Sequence, residues 1–127
     1  HDIPLDTHRF DVIFCNHVLE HVTDDKQCMR ELYRVMKPGG WGIFQVPYLP
    51  QQALTDEDPS VTDPRERERR FGQYDHVRVY GKDYADRLRE VGFDVEVFQL
   101  SDHLDPDLMQ RYRMPADEPL MVCRKNP

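Results

Sequence analysis

The string His17-Val18-Leu19-Glu20-His21 places two imidazoles and a carboxylate within five residues. Two histidines with this spacing around a glutamate can bind zinc when both lie on one face of a continuous helix. Here the string follows an apolar, strand-like run and precedes a new cluster of helix-starting residues, so we expect a strand-to-helix loop. No downstream glutamate on an apolar helix face offers a third ligand. A zinc hydrolase is therefore only an alternative, and no metal site is predicted.

His21 and His76 are the candidate general bases, because histidine exchanges protons near neutral pH. The alternative role of His21 is a hydrogen bond to the backbone that fixes the turn. Glu20 has a similar alternative, a hydrogen bond that starts the helix or orients the loop. The residue types therefore allow either proton transfer or a structural role at this loop.

Four further side chains are candidates for binding an acceptor molecule. Gln45 and Tyr48 come at the end of a predicted strand, on the same rim as the loop. Tyr74 and Arg78 flank His76 behind a highly charged segment and could close over an acceptor. Arg78 would suit a carboxylate or phosphate, although an ion pair with a nearby acid is equally compatible with the sequence.

The elements that position these residues begin with Phe10–Phe14, an apolar run typical of a buried strand. Thr23-Asp24-Asp25 then offers N-cap residues, and apolar side chains follow at helical spacing as far as Lys37. The glycines of Pro38-Gly39-Gly40 favour a turn that ends this helix, and Trp41–Val46 indicates a second strand. Strand, helix and strand in this order predict a βαβ unit of a parallel sheet.

The next segment, residues 48–81, is rich in proline and charge and is predicted to be an excursion over the surface. Within it Asp63-Pro64 suits the start of a short helix that covers Arg65–Phe71. Regular elements return with a helix from Lys82 to Gly92. Two strands follow, Phe93–Leu100 and Leu120–Arg124, which would place a β pair at the end of the sheet.

Composition excludes several classes of protein. The 127 residues carry 17 Lys+Arg against 24 Asp+Glu, a net charge of −7, which disfavours nucleic acid as a partner. No apolar run has the length of about 20 residues that crosses a bilayer, and no amphipathic segment favours a membrane surface. Cys15, Cys28 and Cys123 lack CxxC spacing and suit free thiols. These features predict a protein of the cytoplasm.

The run FDVIFCNHVLEHVTDDKQCMRELYRVMKPGGWGIFQVP, residues 10–47, is far more specific than any motif inside it. It resembles the second half of a class I S-adenosylmethionine-dependent methyltransferase. That family shows an FD-hydrophobic strand, an LEHV loop, an Asp-capped helix and an E-L-x-R-hydrophobic-x-K-P-G-G ending, which Glu31 to Gly40 fit position by position. His76-Val77-Arg78 and Gly92-Phe93 are similar to the family's later segments.

The resemblance implies an α/β fold, a partial Rossmann-like sheet with helices packed on it. It also implies S-adenosyl-L-methionine as cofactor, with Asn16, His17 and Leu19 around the methionine part. Ligands of open α/β sheets bind at the carboxyl ends of the strands, where these residues fall. The acceptor would be a small molecule, and residues 48–81 would lie near its site.

The family's Gly-x-Gly cofactor turn is missing, since no glycine opens a strand-to-helix turn upstream of Phe10. We therefore expect residues 1–127 to form a single incomplete methyltransferase domain, the C-terminal part of an enzyme that is inactive alone. The edge of Phe10–Phe14 would be unpaired, which predicts a homo-oligomer or association with a separate N-terminal fragment. A non-catalytic interaction module derived from a methyltransferase is the alternative.

Overall fold

The computed structural model describes residues 3–99, 102–113 and 119–127. Its strands are β1 (Phe10–Asn16), β2 (Met36–Gln45), β3 (Asp56–Glu57), β4 (Arg78–Val79), β5 (Asp94–Phe98) and β6 (Leu120–Arg124). Four of them form one sheet in the order β1-β2-β6-β5, and β3 pairs with β4 in a separate small sheet. Strands β1 and β2 are parallel, whereas β6 is antiparallel to both of its neighbours. The predicted α/β class is confirmed.

The helices are α1 (Asp25–Val35), α2 (Pro64–Phe71), α3 (Tyr84–Val91) and α4 (Pro106–Arg111). Helix α1 begins as predicted, because the Asp24 side chain accepts a hydrogen bond from the Gln27 N–H at 3.0 Å. Helix α2 has Pro64 in its first turn and a left-handed Gly72 after its last residue. Asp63, predicted as its cap, makes no capping hydrogen bond with its side chain.

The later elements agree with their predicted positions to different degrees. Strand β6 has the predicted bounds, whereas β5 is shorter than Phe93–Leu100, of which Leu100 lies outside the described residues. Helix α4 and the β3–β4 pair were not predicted. Both are too short to leave a periodic pattern of apolar residues.

The predicted turn at Pro38-Gly39-Gly40 is wrong, since α1 ends earlier, at Val35, and these residues lie within β2. Proline disfavours helical geometry in the residue before it, which explains the early end. The register with β1 then shifts, from Phe10 opposite Met36 to Val12 opposite Trp41. Gly39 adopts φ 83° in this bulge and donates its N–H to the Lys125 carbonyl at 2.8 Å.

Helices α1 and α3 pack on one face of the sheet and form the core with it. Cys15, Phe44, Val95, Met121 and Cys123 point from the strands into this layer. The helical side chains that meet them include Met29, Leu32, Tyr84 and Leu88, and Leu19 and Tyr80 from the connecting segments complete the layer. The apolar stripe predicted for residues 25–37 is thus the buried face of α1.

The opposite face of the sheet is open among the described residues, and it is apolar on the side formed by β1 and β2. Phe14 is 65% exposed, and Val12 and Trp41 on the same face are about 40% exposed. Phe14 and Trp41 contact each other edge to face, with ring centroids 6.0 Å apart. Parallel strands are normally covered on both faces, so this surface is suited to further protein.

The segment from 48 to 81 is only partly a surface excursion. It contributes β3, α2 and β4, and it buries Tyr80 and Arg78 completely or almost completely. Tyr48 also bridges to Tyr80 at the side of the main sheet. In the described part of the chain, no helix has the length and apolar character that a membrane crossing requires.

Candidate functional site

The carboxyl ends of the two parallel strands meet at Asn16 and Gln45, which are partners in the register of β1 and β2. The chain then turns at His17, whose N–H donates to the Gln45 carbonyl at 2.8 Å. His17 has φ 54°, a left-handed conformation that L-residues other than glycine adopt rarely. Such strained positions cluster at functional sites, and this one lies where ligands of α/β sheets bind.

The predicted loop after β1 contains one short 3₁₀ turn, Leu19–His21. Leu19 anchors it because its side chain is fully buried in the core. Leu19, expected near the cofactor, therefore contributes packing and a backbone carbonyl. This turn also rules out the zinc site of the HxxEH enzymes, because His17 and His21 do not lie on consecutive turns of one helix.

The two predicted bases are brought together by the turn and by the segment before β4. The ring centroids of His21 and His76 lie 4.7 Å apart, edge to face. His21 Nδ1 lies 3.2 Å from an Asp75 carboxylate oxygen, and His76 Nδ1 lies 3.2 Å from the Phe71 carbonyl oxygen. Both rings are thus oriented by an acceptor on one side, which is the arrangement that a positioned base requires.

Glu20 lies beside these rings and is 1% exposed. Its Oε1 is 3.5 Å from His21 Nε2 and 3.6 Å from His17 Nδ1. Neither carboxylate oxygen has a hydrogen-bond partner among the described residues. The expected loop-orienting hydrogen bond of this side chain is therefore absent, and a buried carboxylate faces two imidazoles instead.

Arg78, expected to reach toward an acceptor, holds the loop instead. Its side chain is 3% exposed, and Nη1 donates to the carbonyls of Leu19 at 2.6 Å and Val22 at 2.5 Å. Nη2 donates to the Thr23 carbonyl at 3.0 Å, and Nε donates to Glu57 Oε1 at 3.2 Å. The guanidinium is engaged inside the protein because the turn leaves these carbonyls without helical partners.

A second carboxylate, Asp25, joins this network at the start of α1. Its Oδ2 accepts hydrogen bonds from Tyr80 Oη and from Arg87 Nη1, each at 2.7 Å. Burial raises the pKa of Asp25, but the hydrogen bond from Tyr80 and the charges of Arg78 and Arg87 outweigh it and lower the pKa below its ordinary value. Arg87 also pairs with Glu57, which links α3 to β3.

The other acceptor candidates surround the end of β2. A cavity of about 360 Å³ is lined by Gln45, Tyr48, Tyr84 and Met121, among others. The amide of Gln45 is occupied, since it donates to the Pro119 carbonyl at 3.0 Å and accepts from the Met121 N–H at 2.8 Å. Tyr48 is half-buried in the wall of this cavity, whereas the side chain of Tyr74 is 60% exposed to solvent.

The three cysteines are free thiols, as predicted. Burial is the main cause that raises the pKa of Cys15 and of Cys123 to about 12, and it also raises the pKa of Cys28. A thiol protonated at neutral pH is a weak nucleophile, so these residues contribute packing to the core.

Comparison with known proteins gives the fold, and a match to a family model over the first third of the chain. Residues 1–44 match a family model described as a methyltransferase domain. No curated protein sequence matches the chain significantly. The YcgJ protein of Bacillus subtilis is similar in structure, with 17% identity and a TM-score of 0.62 over 99% of this chain and 68% of that one.

Two further solved structures extend the comparison. An S-adenosylmethionine-dependent methyltransferase of Mesorhizobium loti has 19% identity and a TM-score of 0.57, over 97% of this chain and 65% of its own. The [4+2]-cyclase SpnF has 16% identity and a TM-score of 0.62, over 98% of this chain and 54% of its own. This chain thus spans between about half and two thirds of these proteins.

The chain has the fold of the class I S-adenosylmethionine-dependent methyltransferases, with an open α/β sheet whose end bears a strained loop. Its first third also carries the sequence pattern of the methyltransferase domain. The resemblance deduced from residues 10–47 is thereby confirmed.

Arg78→Met should destabilise the protein by about 3 kcal/mol, because it leaves three carbonyls and Glu57 without their buried donor. Urea unfolding monitored by circular dichroism measures this free energy. Arg69→Met is the matched control: Arg69 is 72% exposed and, among the described residues, forms an ion pair only with Glu66, so the change should be within about 0.5 kcal/mol. An equal loss of unfolding free energy in the two variants would contradict the role of Arg78 in holding the loop.

Asp25→Asn should cost about 2 kcal/mol at neutral pH, since two arginines lose their buried counter-charge. The folded pKa of Asp25 is lowered, so its stabilisation is complete above the unfolded value of about 3.9 and is lost as pH falls through the folded value. The difference between wild type and variant, measured by urea unfolding from pH 7 to pH 2.5, should therefore shrink below about pH 4. Asp86→Asn, at a 70% exposed position, should show no such convergence.

Proposed function

We propose that this protein, within a complete methyltransferase domain, transfers a methyl group from S-adenosylmethionine to a small-molecule acceptor in the cytoplasm. The observation that carries the proposal is the junction of β1 and β2, where strained His17 and the cavity of about 360 Å³ lie at the carboxyl edge. Ligands of open α/β sheets bind at this edge. The methyltransferase-domain match of residues 1–44 covers β1, α1 and the loop between them.

The cofactor would supply a methyl group bound to a positively charged sulfur. Asn16 and His17 fit its methionine side, because they lie at the end of β1 where the chain turns away from the sheet. The other side of a cofactor site is missing from the described residues. Their glycines lie in β2, after helices or, for Gly81, between β4 and α3 against the backbone of Leu54. None leads from a strand of the main sheet into a helix: Gly39, Gly40, Gly42, Gly72, Gly81 and Gly92.

This chain would provide the acceptor side of the reaction. Tyr48 in the cavity wall would orient the acceptor, and the 48–81 segment would shape the access to it. His21 and His76 would accept the proton that an O–H or N–H acceptor must lose, since their rings are held in place by Asp75 and Phe71. Such positioning is the main contribution an enzyme makes to a direct displacement.

The rest of the cofactor site would come from protein paired with β1. The face that carries Val12, Phe14 and Trp41 continues into a groove of about 260 Å³ between β1, α1 and Ile3. The solved structures similar to this chain carry additional sequence beyond the matched part. We therefore assign the edge to the first half of the methyltransferase domain, whose strands would extend the sheet.

The second candidate function is a binding module without catalysis. The exposed apolar face of β1 favours it, and the fold alone does not specify methyl transfer, because the similar SpnF structure belongs to a [4+2]-cyclase. The two functions differ in one property, the binding of cofactor once the edge of β1 is covered.

The 127 residues alone should bind S-adenosylhomocysteine with a Kd weaker than about 1 mM, since only one side of the site is present. Co-expression with a segment that supplies the first half of a class I methyltransferase domain should give micromolar binding in isothermal titration calorimetry. His17→Ala in that complex should weaken binding about tenfold, and Tyr112→Ala at an exposed position should not. Micromolar binding by the isolated chain would contradict the proposal, whereas no binding by the completed protein would favour the binding module.

Phe14→Lys should prevent assembly with a segment that supplies the first half of the domain, because it places a charge on the face that we expect to be covered. Leu54→Lys is the control, since Leu54 is 70% exposed and far from β1 in the sequence. Size-exclusion chromatography with light scattering measures assembly, and hydrogen exchange should show the free edge of β1 protected only in the complex. A homodimer of the isolated chain that Phe14→Lys dissolves would assign the edge to a second copy instead.

A further inference from the structure

Three side chains beside the loop are arranged like the ligands of a metal ion. Glu20, His21 and His76 each offer one ligand atom, and these atoms all lie within 4.8 Å of one another. Two of the residues are buried and the third is half-buried. They come from two segments of the chain, the 3₁₀ turn after β1 and the segment that leads to β4.

The buried carboxylate is the first sign that a cation belongs there. Both oxygens of Glu20 are inaccessible and lack a hydrogen-bond donor among the described residues. Taking a carboxylate out of water is costly unless a positive charge or several donors compensate it. Arg78, whose buried guanidinium holds the same turn, directs its donors to carbonyls and to Glu57 rather than to Glu20.

The orientation of both imidazoles is the second sign. The Phe71 carbonyl can only accept, so His76 Nδ1 donates to it and leaves the Nε2 lone pair free. His21 is held the same way by the Asp75 carboxylate, and its Nε2 lies 3.5 Å from Glu20 Oε1. Metal-binding histidines are characteristically oriented by such an acceptor on the other ring nitrogen.

We propose that Glu20, His21 and His76 bind a divalent transition-metal ion of the zinc class. Two imidazoles and one carboxylate are a known ligand set for zinc, which takes nitrogen at about 2.0–2.1 Å and oxygen at about 2.0–2.2 Å. Tetrahedral ligands at those lengths lie about 3.3 Å apart, close to the separation of His21 Nε2 from Glu20 Oε1. Imidazole ligands favour zinc over magnesium.

The framework holds the ligands in place without the ion. The Val77 N–H donates to the Glu20 carbonyl at 2.8 Å, which ties the turn to the segment that carries His76. Arg78 fixes the carbonyls on either side of His21. The three ligands leave a coordination position open, which, on the proposed function, would take an oxygen of the acceptor. With the ion bound, the ion would favour the deprotonated form of that oxygen, in place of proton transfer to His21 and His76, whose free nitrogens would bind the ion.

The site differs from the helix-borne zinc pair that the HVLEH string suggests. That pair would use His17 and His21, whereas the proposed set replaces His17 with His76, 55 residues after His21. His17 Nδ1 lies 3.6 Å from Glu20 Oε1, but its side chain is 59% exposed. The alternative to a metal ion at this site is a proton that His21 shares with Asp75 and Glu20.

The test is calorimetric titration of the metal-free protein with zinc, manganese and magnesium chlorides in the absence of cofactor. One zinc ion per chain should bind, with manganese weaker and magnesium weakest. Glu20→Gln and His76→Ala should each weaken zinc binding at least about 100-fold, and Asp75→Asn about tenfold, because it only orients His21. His17→Ala should change the affinity less than about threefold.

A visible absorption spectrum of the cobalt-substituted protein should show tetrahedral bands that Glu20→Gln abolishes. Circular dichroism checks that each variant is folded, and His76→Gln replaces His76→Ala if the latter is not. Failure of all three metals to bind stoichiometrically, or an equal loss with His17→Ala and His21→Ala, would overturn the proposal. So would a nitrogen NMR spectrum showing His21 doubly protonated while zinc has no effect. Because no cofactor is present, these outcomes are independent of the S-adenosylhomocysteine test.

Discussion

The candidate site depends on the hydrogen bonds that the Arg78 guanidinium donates to the loop after β1. A loop that leaves a strand and enters a helix through a 3₁₀ turn exposes carbonyls that no regular element satisfies. Arg78 donates to the carbonyls of Leu19, Val22 and Thr23, and it is buried while doing so. The loop can therefore keep a strained His17 and an unsatisfied Glu20 side by side, because its backbone is held independently of both.

The same constraint connects the site to the rest of the fold. The charge of Arg78 is compensated by Glu57, and Asp25 carries the network on to Tyr80 and Arg87. Residues from α1, β3 and α3 are thus joined by a buried set of charges. The 48–81 segment, rich in proline and charge, is attached to the core through this set rather than through a large apolar face. That explains how a segment with few aliphatic residues forms part of the site.

The sequence predicts the elements whose patterns are local, and it fails where partners are distant. Strand β6 follows from a short apolar run and the start of α1 from the Asp24 cap, whereas the end of α1 is decided by Pro38 acting through its preceding residue. For Arg78 the sequence allows either a ligand for an acceptor or an ion pair with a nearby acid, and the structure shows the ion pair, with Glu57. Its three carbonyl partners lie 55 to 59 residues away, so no local pattern predicts them. The amide of Gln45 is likewise occupied by residues near β6. Asp75 shows no local signal for orienting His21.

Two buried charges beside the loop after β1, Arg78 and Glu20, have different roles: one holds the framework and the other belongs to the site. Arg78 is fully compensated, and a compensated buried charge fixes one conformation and is available to nothing else. Glu20 is equally buried but lacks donors among the described residues. The free energy lost by removing its charge from water is therefore not compensated in this structure. An apolar or amide side chain of similar size in place of such a carboxylate would increase the stability of the protein. Its presence between oriented imidazoles is therefore explained by what it binds, as is expected where a protein departs from local consistency at a functional site.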